Sequence, residues 1–375
     1  MKCSILQQQL SQGLGIVSRA VSPRSTLPVL ANVLLASDEG RLRLSATNLE
    51  LGITAWINAQ IDEDGSITVP ARTFSDLIGT LPGDKISLEV NQKTQTLNVK
   101  CGGSITDIKG ISADEFPPIP TPNMSEGIEL NVSDFKEMIH QVAFCASTDD
   151  ARPVLQGVLL TVEDNKITLA ATDGFRISVR STSLAAPAAR LVKAIVPARA
   201  LSELARIAAD GNQTLTMVTQ PERGQVLFHM KDAELVSQLI EGNFPDYKVI
   251  IPRSFKTSTI VSTSALLKAC RQAEIIARDS NNVVRVNITP GGEGPGLIEL
   301  SAQSEETGTS EVKVEASIDG PGLTIAFNVG FLREALDVVK TPSVALETNA
   351  NNTPGMLRPV GDEEFLHVIM PMHLG

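Results

Sequence analysis

Four histidines and a few adjacent carboxylates are the residues of this chain that could do chemistry, and their spacing argues against most of it. His140, His229, His367 and His373 lie far apart. None stands in an H-E-x-x-H arrangement, where two imidazoles on one helical face hold zinc beside a glutamate base. Each reads as an ordinary surface or core histidine. The pairs Asp149-Asp150 and Glu305-Glu306 and the run Asp362-Glu363-Glu364 could supply the two carboxylates of general acid and base catalysis. They fall in predicted turns, however, where solvation accounts for them equally well. Residues 290–297, "PGGEGPGL", are glycine-rich like a phosphate loop. They lack the G-x-G-x-x-G spacing and the Lys-Ser/Thr of a P-loop, and Pro295 interrupts a helix start, so a hairpin turn is expected. Cys3, Cys101, Cys145 and Cys270 show no paired spacing and read as reduced, buried small hydrophobes rather than a disulfide framework or a zinc knuckle. No catalytic residue, metal or cofactor is therefore expected. An enzyme built on Asp149, Asp150 and a histidine is the alternative from a different class.

The elements that would position these residues are repeated. "VPARTFSDL" (69–77) returns as "VPARALSEL" (196–204), and residues 26–53, "TLPVLANVLLASDEGRLRLSATNLELGI", align without a gap with 151–178, "ARPVLQGVLLTVEDNKITLAATDGFRIS". A fainter third copy follows. Residues 297–316 match the "LRLSATNLE" and "ITLAATDGF" region, and "AFNVGFLREALDVV" (326–339) takes the place of the VPAR segments. Phe74, Leu201 and Leu332 then correspond, as do Asp76, Glu203 and Glu334. Such self-similarity has to be read before any other feature. Three copies imply a unit of ~125 residues, the size of one ordinary domain. The proline-bearing, non-periodic stretches "ADEFPPIPTPN" (113–123) and "EGNFPDYKVIIP" (241–252) are linker-like and place the domains at 1–125, 126–253 and 254–375.

Within each unit the pattern predicts a first helix, near 8–21, 133–147 and 263–278, and a second beginning at Pro70, Pro197 and Asn328. In the second unit, Phe135, Met138, Ile139 and Val142 form one apolar helical face. Proline suits a first helical turn and Asn is a good N-cap. "RLRLSAT" and "KITLAAT" alternate like half-buried strands, with Asp38-Glu39-Gly40 and Glu163-Asp164-Asn165 as the preceding turns. Helices on one face of antiparallel sheets give an α+β fold, three times over.

Composition narrows the function. The chain has 375 residues, 42% hydrophobic and 20% charged, enough for two or three ordinary cores. The first residues lack a signal-peptide run, and no stretch approaches the roughly 18 apolar residues of a membrane span, so a soluble, cytoplasmic protein is expected. A net charge of −11 argues against gripping nucleic acid by direct contact, which needs clustered Lys and Arg. Sorted by element, the charge is uneven. In the helix windows Lys and Arg slightly outnumber Asp and Glu, so the remaining segments carry all of the negative excess. Chance in a small sample explains this; so does a closed assembly with mildly basic helices inside and acidic sheets outside. A protein that encloses DNA does not need tight phosphate contacts.

"TLPVLANVLL", "SATNLE", "VPAR", "ATDGFRI", "EGNFPDY" and the terminal "VIMPMHL" together resemble the bacterial beta sliding clamps, the processivity subunits of the replicative DNA polymerase III holoenzyme. The resemblance covers the whole chain. It implies a head-to-tail homodimer ring around duplex DNA, each chain carrying three clamp domains with sheets outside and paired helices inside. It also implies no catalysis. The implied partners are double-stranded DNA held without sequence preference, the replicative polymerase, a clamp loader, and other proteins with short Leu/Phe-containing peptides. A monomeric three-domain peptide-binding scaffold without DNA enclosure is the alternative.

The resemblance also assigns residues. A peptide pocket is implied at Leu155, Thr172, Gly174, Phe175, Arg176, Ile177, Pro245, Val249, Ile250, Val368, Ile369, Met370, Pro371 and Met372. Met and Pro beside aliphatics suit an adaptable apolar surface. Read without the resemblance, "FLHVIMPM" is simply a last core strand. Arg24, Arg72, Arg152, Arg199 and Arg278 are implied to face DNA, and Ile105 and Ile108 on an edge strand to meet Ile275 and Ile276 of a second copy. Phe175 and His373 stand where many members have His and Arg, and Pro153-Val154 where some have aromatic residues, so peptide preference and any stacking on DNA should differ.

Overall fold

The structure, a computed structural model, describes every residue except 23, 24, 121–123, 125, 126, 210, 212, 293, 374 and 375. The first repeat runs β1 (Lys2–Leu6), α1 (Gln7–Val17), β2 (Asn32–Asp38), β3 (Arg41–Thr47), β4 (Leu51–Ile57), β5 (Gln60–Glu63), β6 (Ser66–Pro70), α2 (Ala71–Thr80), β7 (Lys85–Asn91), β8 (Thr96–Cys101) and β9 (Ser104–Lys109). The second runs β10 (Ile128–Asn131), α3 (Val132–Val142), β11 (Gly157–Glu163), β12 (Lys166–Thr172), β13 (Arg176–Ser183), β14 (Val192–Pro197), α4 (Ala198–Ile207), β15 (Thr214–Gln220), β16 (Gln225–Met230) and β17 (Ala233–Gln238). The third runs β18 (Thr257–Ser262), α5 (Thr263–Ala277), β19 (Val283–Thr289), β20 (Gly296–Ser304), β21 (Gly308–Asp319), β22 (Leu323–Asn328), α6 (Val329–Asp337), β23 (Ser343–Thr348), β24 (Gly355–Pro359) and β25 (Phe365–Ile369). Strand, helix, four strands, helix, three strands recurs three times, with β5 as an extra strand in the first copy. The fold is α+β, as expected.

Packing divides the chain into two compact units, residues 1–133 with 203–239 and residues 134–202 with 240–375. The first holds a five-stranded sheet, β5-β1-β7-β8-β9, and an eight-stranded sheet, β10-β15-β16-β17-β4-β3-β2-β6. The second holds a twelve-stranded sheet, β14-β11-β12-β13-β25-β24-β23-β18-β21-β20-β19-β22. The units cut through the second repeat because strands of successive repeats pair directly, β17 with β4 in one unit and β25 with β13 in the other.

Local chemistry explains the elements. In α1, Leu10, Leu14 and Val17 point into the core at helical spacing, and in α2 Phe74 and Ile78 do the same. In the third repeat Leu266, Cys270, Ala273 and Ala277 of α5 and Leu332, Ala335 and Leu336 of α6 meet the inward residues of the strands around Phe327. Glu39 and Gly40 both adopt left-handed conformations, as the two-residue hairpin between β2 and β3 requires. β19 and β20, which flank the glycine-rich stretch, pair antiparallel. Asn328 caps α6, its side chain accepting from the Gly330 N–H.

Three sequence expectations are corrected. The helices expected to reach 21 and 147 stop at Val17 and Val142, each tightening into a single 3-10 turn at Ser18–Ala20 and Ala143–Cys145. Pro70 and Pro197 end strands, and the helices start one residue later at Ala71 and Ala198. Ile105 and Ile108 do not form one exposed pair. An odd separation along β9 sends them to opposite faces, so Ile105 is 68% exposed while Ile108 is buried.

Gly355 opens β24 against the core, and a Cβ there would stand 2.5 Å from the ring of Phe327, which is fully buried. Gly355→Ala should lower stability by about 1–3 kcal/mol through overpacking. Urea unfolding of the variant beside the parent checks this, and an unchanged midpoint would contradict it.

Candidate functional site

The turn between β12 and β13 is fixed by its own side chains. Thr172 Oγ1 donates to the Arg176 carbonyl (2.7 Å) and accepts from the Gly174 N–H (3.0 Å). Asp173 Oδ1 accepts from the N–H groups of Phe175 (2.9 Å) and Arg176 (3.1 Å). Gly174 takes the left-handed conformation that this requires, φ 95°. The first repeat copies the turn bond for bond. Thr47 Oγ1 donates to the Leu51 carbonyl and accepts from Leu49 N–H, and Asn48 Oδ1 accepts from Glu50 and Leu51. The difference is Leu49, left-handed at φ 77° where the second copy has glycine.

Around the second turn lies an apolar cleft of about 450 Å³, part of it open to solvent, in the unit formed by 134–202 and 240–375. Its floor is the β13–β25 ladder, with Ile177 opposite Val368. Leu155, Thr172, Gly174, Phe175, Arg176, Pro245, Tyr247, Ile250 and Met370 complete the lining. Phe175 stands 59% exposed at the mouth. Thr172 and Arg176 are already engaged. The Arg176 guanidinium is held by Asp173 (2.9 Å) and Glu334 (2.6 Å) and lies over the rings of Phe144 and Phe331. The cleft therefore offers apolar contact and no free charge.

Ten of the fourteen residues expected from the sequence line this cleft; four do not. Ile369 alternates with Val368 along β25 and is buried in the third-repeat core. Val249, on the single 3-10 turn Tyr247–Val249, is 75% exposed. Pro371 and Met372 lie past Met370, where Met372 N–H donates to the Ala326 carbonyl (2.8 Å). Tyr247 was missed. It is buried, edge-on to Phe244 at 6.5 Å, and its signal is the aromatic pair inside the stretch that already supplies Pro245, Val249 and Ile250 to the expected pocket.

On the opposite face of the same ladder His367 is wholly buried. Its Nδ1 hydrogen-bonds Ser178 Oγ at 2.6 Å, its ring stacks on Phe144, and its Nε2 has no partner. Burial, followed by the charge of Arg176, pulls its pKa down to about 3. Burial likewise lifts the thiol of neighbouring Cys145 to about 12, which fits an inert core cysteine.

Each unit contains one junction between repeats, and the two match. β4 joins β17 with Gly52 opposite Val236, and β13 joins β25 with Ile177 opposite Val368. Counting from the first residue of α1, α3 and α5, Arg19, Phe144 and Ile275 hold the same place. Arg19 pairs with Glu203 at 3.0 Å, and Phe144 packs on His367 and Arg176. Ile275 is 61% exposed, whereas Ile276, expected at the same interface between copies, packs against the third-repeat core. Among the described residues, β9 has a partner strand on one edge only, and so does β21 over 308–315, where β20 alone pairs with it.

The expected DNA-facing arginines differ in how free they are. Arg24 lies outside the described residues. Arg72 is almost fully exposed, 3.8 Å from Asp76. Arg152 is bound to Asp149 in its own loop (2.9 Å) and to the Asp173 carbonyl of the pocket turn (3.0 Å). Arg199 and Arg278 are exposed and have no ion-pair partner among the described residues. Asp149 and Asp150 are held by Arg152 and Gln156, as turn residues are. Among the described residues no group of His, Cys, Asp and Glu could hold a metal, and no helix is long and apolar enough to cross a membrane.

Repeated α+β units joined edge to edge, with an apolar cleft beside one joint, define the class of DNA polymerase sliding clamps, and the comparisons agree. Family models for the N-terminal, central and C-terminal domains of the DNA polymerase III beta subunit match residues 1–120, 129–246 and 248–373. The chain belongs to the DNA polymerase III beta subunit family. It is 36% identical to the beta sliding clamp of Synechococcus elongatus over 378 residues, covering 100% of both chains. It is 31% identical to that of Staphylococcus epidermidis, covering 99% of each. The solved sliding clamp of Bacillus subtilis superposes with a TM-score of 0.94 at 28% identity, and that of Pseudomonas aeruginosa bound to griselimycin with 0.92 at 28%, each over 100% of both chains.

The buried histidine makes stability depend on pH. Folded, His367 stays neutral down to about 3, whereas its ordinary pKa is 6.5. Between those values the unfolded chain binds the extra proton, so this contribution to stability is lost as pH falls below 6.5, approaching about 1.4 kcal/mol per pH unit. Urea unfolding at pH 7 and pH 5 should show a larger loss for the parent than for His367→Gln. Equal losses would contradict a neutral buried imidazole.

Proposed function

We propose that the chain is a non-catalytic, cytoplasmic sliding clamp that encircles duplex DNA as a head-to-tail homodimer and tethers polymerase and other replication and repair proteins. Three domains, 1–125, 126–253 and 254–375, would make each half of the ring. One observation carries the reading: the open edges of β9 and β21 are the counterparts, repeat by repeat, of strands that are already joined within the chain. β9 corresponds to β17 and β25, and β21 to β4 and β13. Carrying the two observed registers over to the third joint puts Asp107 of one chain opposite Thr309 of the other and Ile105 opposite Glu311. Inward Thr106 then meets inward Ser310. Ile275 would be covered at the place where Arg19 and Phe144 are covered. A head-to-tail contact of this kind closes when each joint turns the chain by the same amount, which repeated domains supply.

Enclosure reconciles a net charge of −11 with DNA. Arg24, Arg72, Arg199 and Arg278 would steady the duplex through its phosphates without reading sequence. Arg152, tied to Asp149 and the Asp173 carbonyl, would have to release these to join them. The cleft would take the Leu and Phe anchors of short partner peptides, Met370 and Phe175 adapting at its mouth. The loader peptide would use the same cleft.

Ile275→Glu should convert dimers to monomers at micromolar concentration, since a carboxylate buried there would lack a partner. Light scattering reads the mass, and an intact dimer would refute the joint. Met370→Ala should weaken a Leu/Phe-containing peptide about tenfold, near the cost of burying one side chain less, and leave the dimer alone. Calorimetric titration decides it. Clamp loaded on nicked circular DNA should stay bound until the circle is linearised and then run off. Equal loss from circle and linear DNA would favour the monomeric scaffold.

A further inference from the structure

The pocket turn is held from α6. The Arg176 side chain is buried, with Nε donating to Asp173 Oδ2 (2.9 Å), one terminal nitrogen to Glu334 Oε2 (2.6 Å) and the other to the Phe144 carbonyl (3.3 Å). Asp173 in turn accepts through Oδ1 from the N–H groups of Phe175 and Arg176. The Phe175 carbonyl accepts from the Met370 N–H (2.9 Å). Glu334, Arg176 and Asp173 thus form one brace that runs from a helix to Phe175 and Met370 at the cleft. Its far end is fixed as well: Arg333 lies 3.4 Å from Glu334 and is itself held by Glu274 (2.9 Å) and Asp337 (3.2 Å).

The first repeat shows that the turn itself does not need this brace. There Asn48 stands for Asp173 and buried Leu51 for Arg176, and the turn keeps its hydrogen bonds through Thr47 and Asn48. Glu203, at the place of Glu334 in its own helix, binds Arg19 instead. Replacing a buried ion pair by apolar residues is often neutral or stabilising. Neither the shape of the turn nor its stability therefore calls for the charged triad, and the copy that carries it is the copy beside the cleft.

We propose that Glu334 is a positioning residue of the peptide cleft: through Arg176 and Asp173 it fixes the Gly174–Phe175 backbone and, through the Phe175 carbonyl, Met370, where a partner's apolar anchor seats. Glu334 does not itself line the cleft. The inference rests on the peptide-pocket reading above and deepens it. A mouth that is already ordered lowers the cost of ordering it on binding, so the brace raises affinity without adding a contact.

Fluorescence anisotropy with a short labelled Leu/Phe-containing peptide, beside urea unfolding of the same proteins, tests it. Glu334→Ala should weaken the peptide about tenfold, the low end for one hydrogen bond to a charged group. Glu334→Gln should weaken it about threefold, since a neutral acceptor supplies roughly half that energy. Asp173→Asn with Arg176→Leu, which gives this turn the residues of the first repeat, should also weaken it about tenfold, while the urea midpoint stays at or above the parent's. Affinity lost at an unmoved midpoint separates positioning from stability. Parent-like affinity in Glu334→Ala or in the double variant would overturn the brace, and so would a midpoint that falls in step with affinity. If the peptide fails to bind the parent, the pocket reading falls and the brace with it.

Discussion

A strand at the edge of a sheet presents a row of N–H and C=O groups that must find partners, and the architecture of this chain follows from where those edges meet. Taken within its own repeat alone, each of β17 and β25, the last strands of the second and third repeats, would have an open outer edge, and so would β4 in the first repeat and β13 in the second. Pairing them merges repeats into continuous sheets. That pairing, rather than burial alone, makes the compact units cut across the sequence repeats. It also leaves β9 and β21 with the same unmet requirement.

The pocket depends on one of these joints. Its floor is the β13–β25 ladder, its rim the turn fixed by Thr172 and Asp173, and its underside the Ser178–His367 pair with Arg176 and Phe144. The groups that hold the two strands in register therefore also hold the binding surface. A ligand meets a surface on which Thr172 and Arg176 are already engaged, so little reorganisation of these groups is needed to bind an apolar anchor.

Much of this was legible in the sequence because repetition multiplies weak signals. One VPAR segment says little, but two in register with matching hairpins fix the element order, whereas most of the cleft came from the family resemblance that "ATDGFRI" and "VIMPMHL" help to carry. What escaped was facing. Ile369 and Ile108 are apolar residues whose burial is decided by strand parity, and parity is set by a partner strand far away in the chain. Tyr247 escaped because only Pro245, Val249 and Ile250 of its linker were assigned to the pocket, whereas the linker's aromatic pair packs on the sheet. Arg152, expected to face DNA, carries hydrogen bonds to Asp149 and to the Asp173 carbonyl that no local sequence pattern announced.

The equivalent joints are sealed with different chemistry, and the difference tracks what each must do. Arg19 and Glu203 close the first with an ion pair, and Phe144, His367 and Arg176 close the second with stacked rings around a charge. Both lie within one chain, where the partners stay tethered and geometric precision can be built in. The third place offers Ile275 and Ile105, aliphatic and exposed. In the proposed ring that joint lies between two chains and has to open to admit DNA. Aliphatic contacts suit it: they have no directional bonds to misalign on reclosing, and parting them leaves no buried charge unpaired. A joint sealed like the second would strand a histidine and an arginine each time it opened.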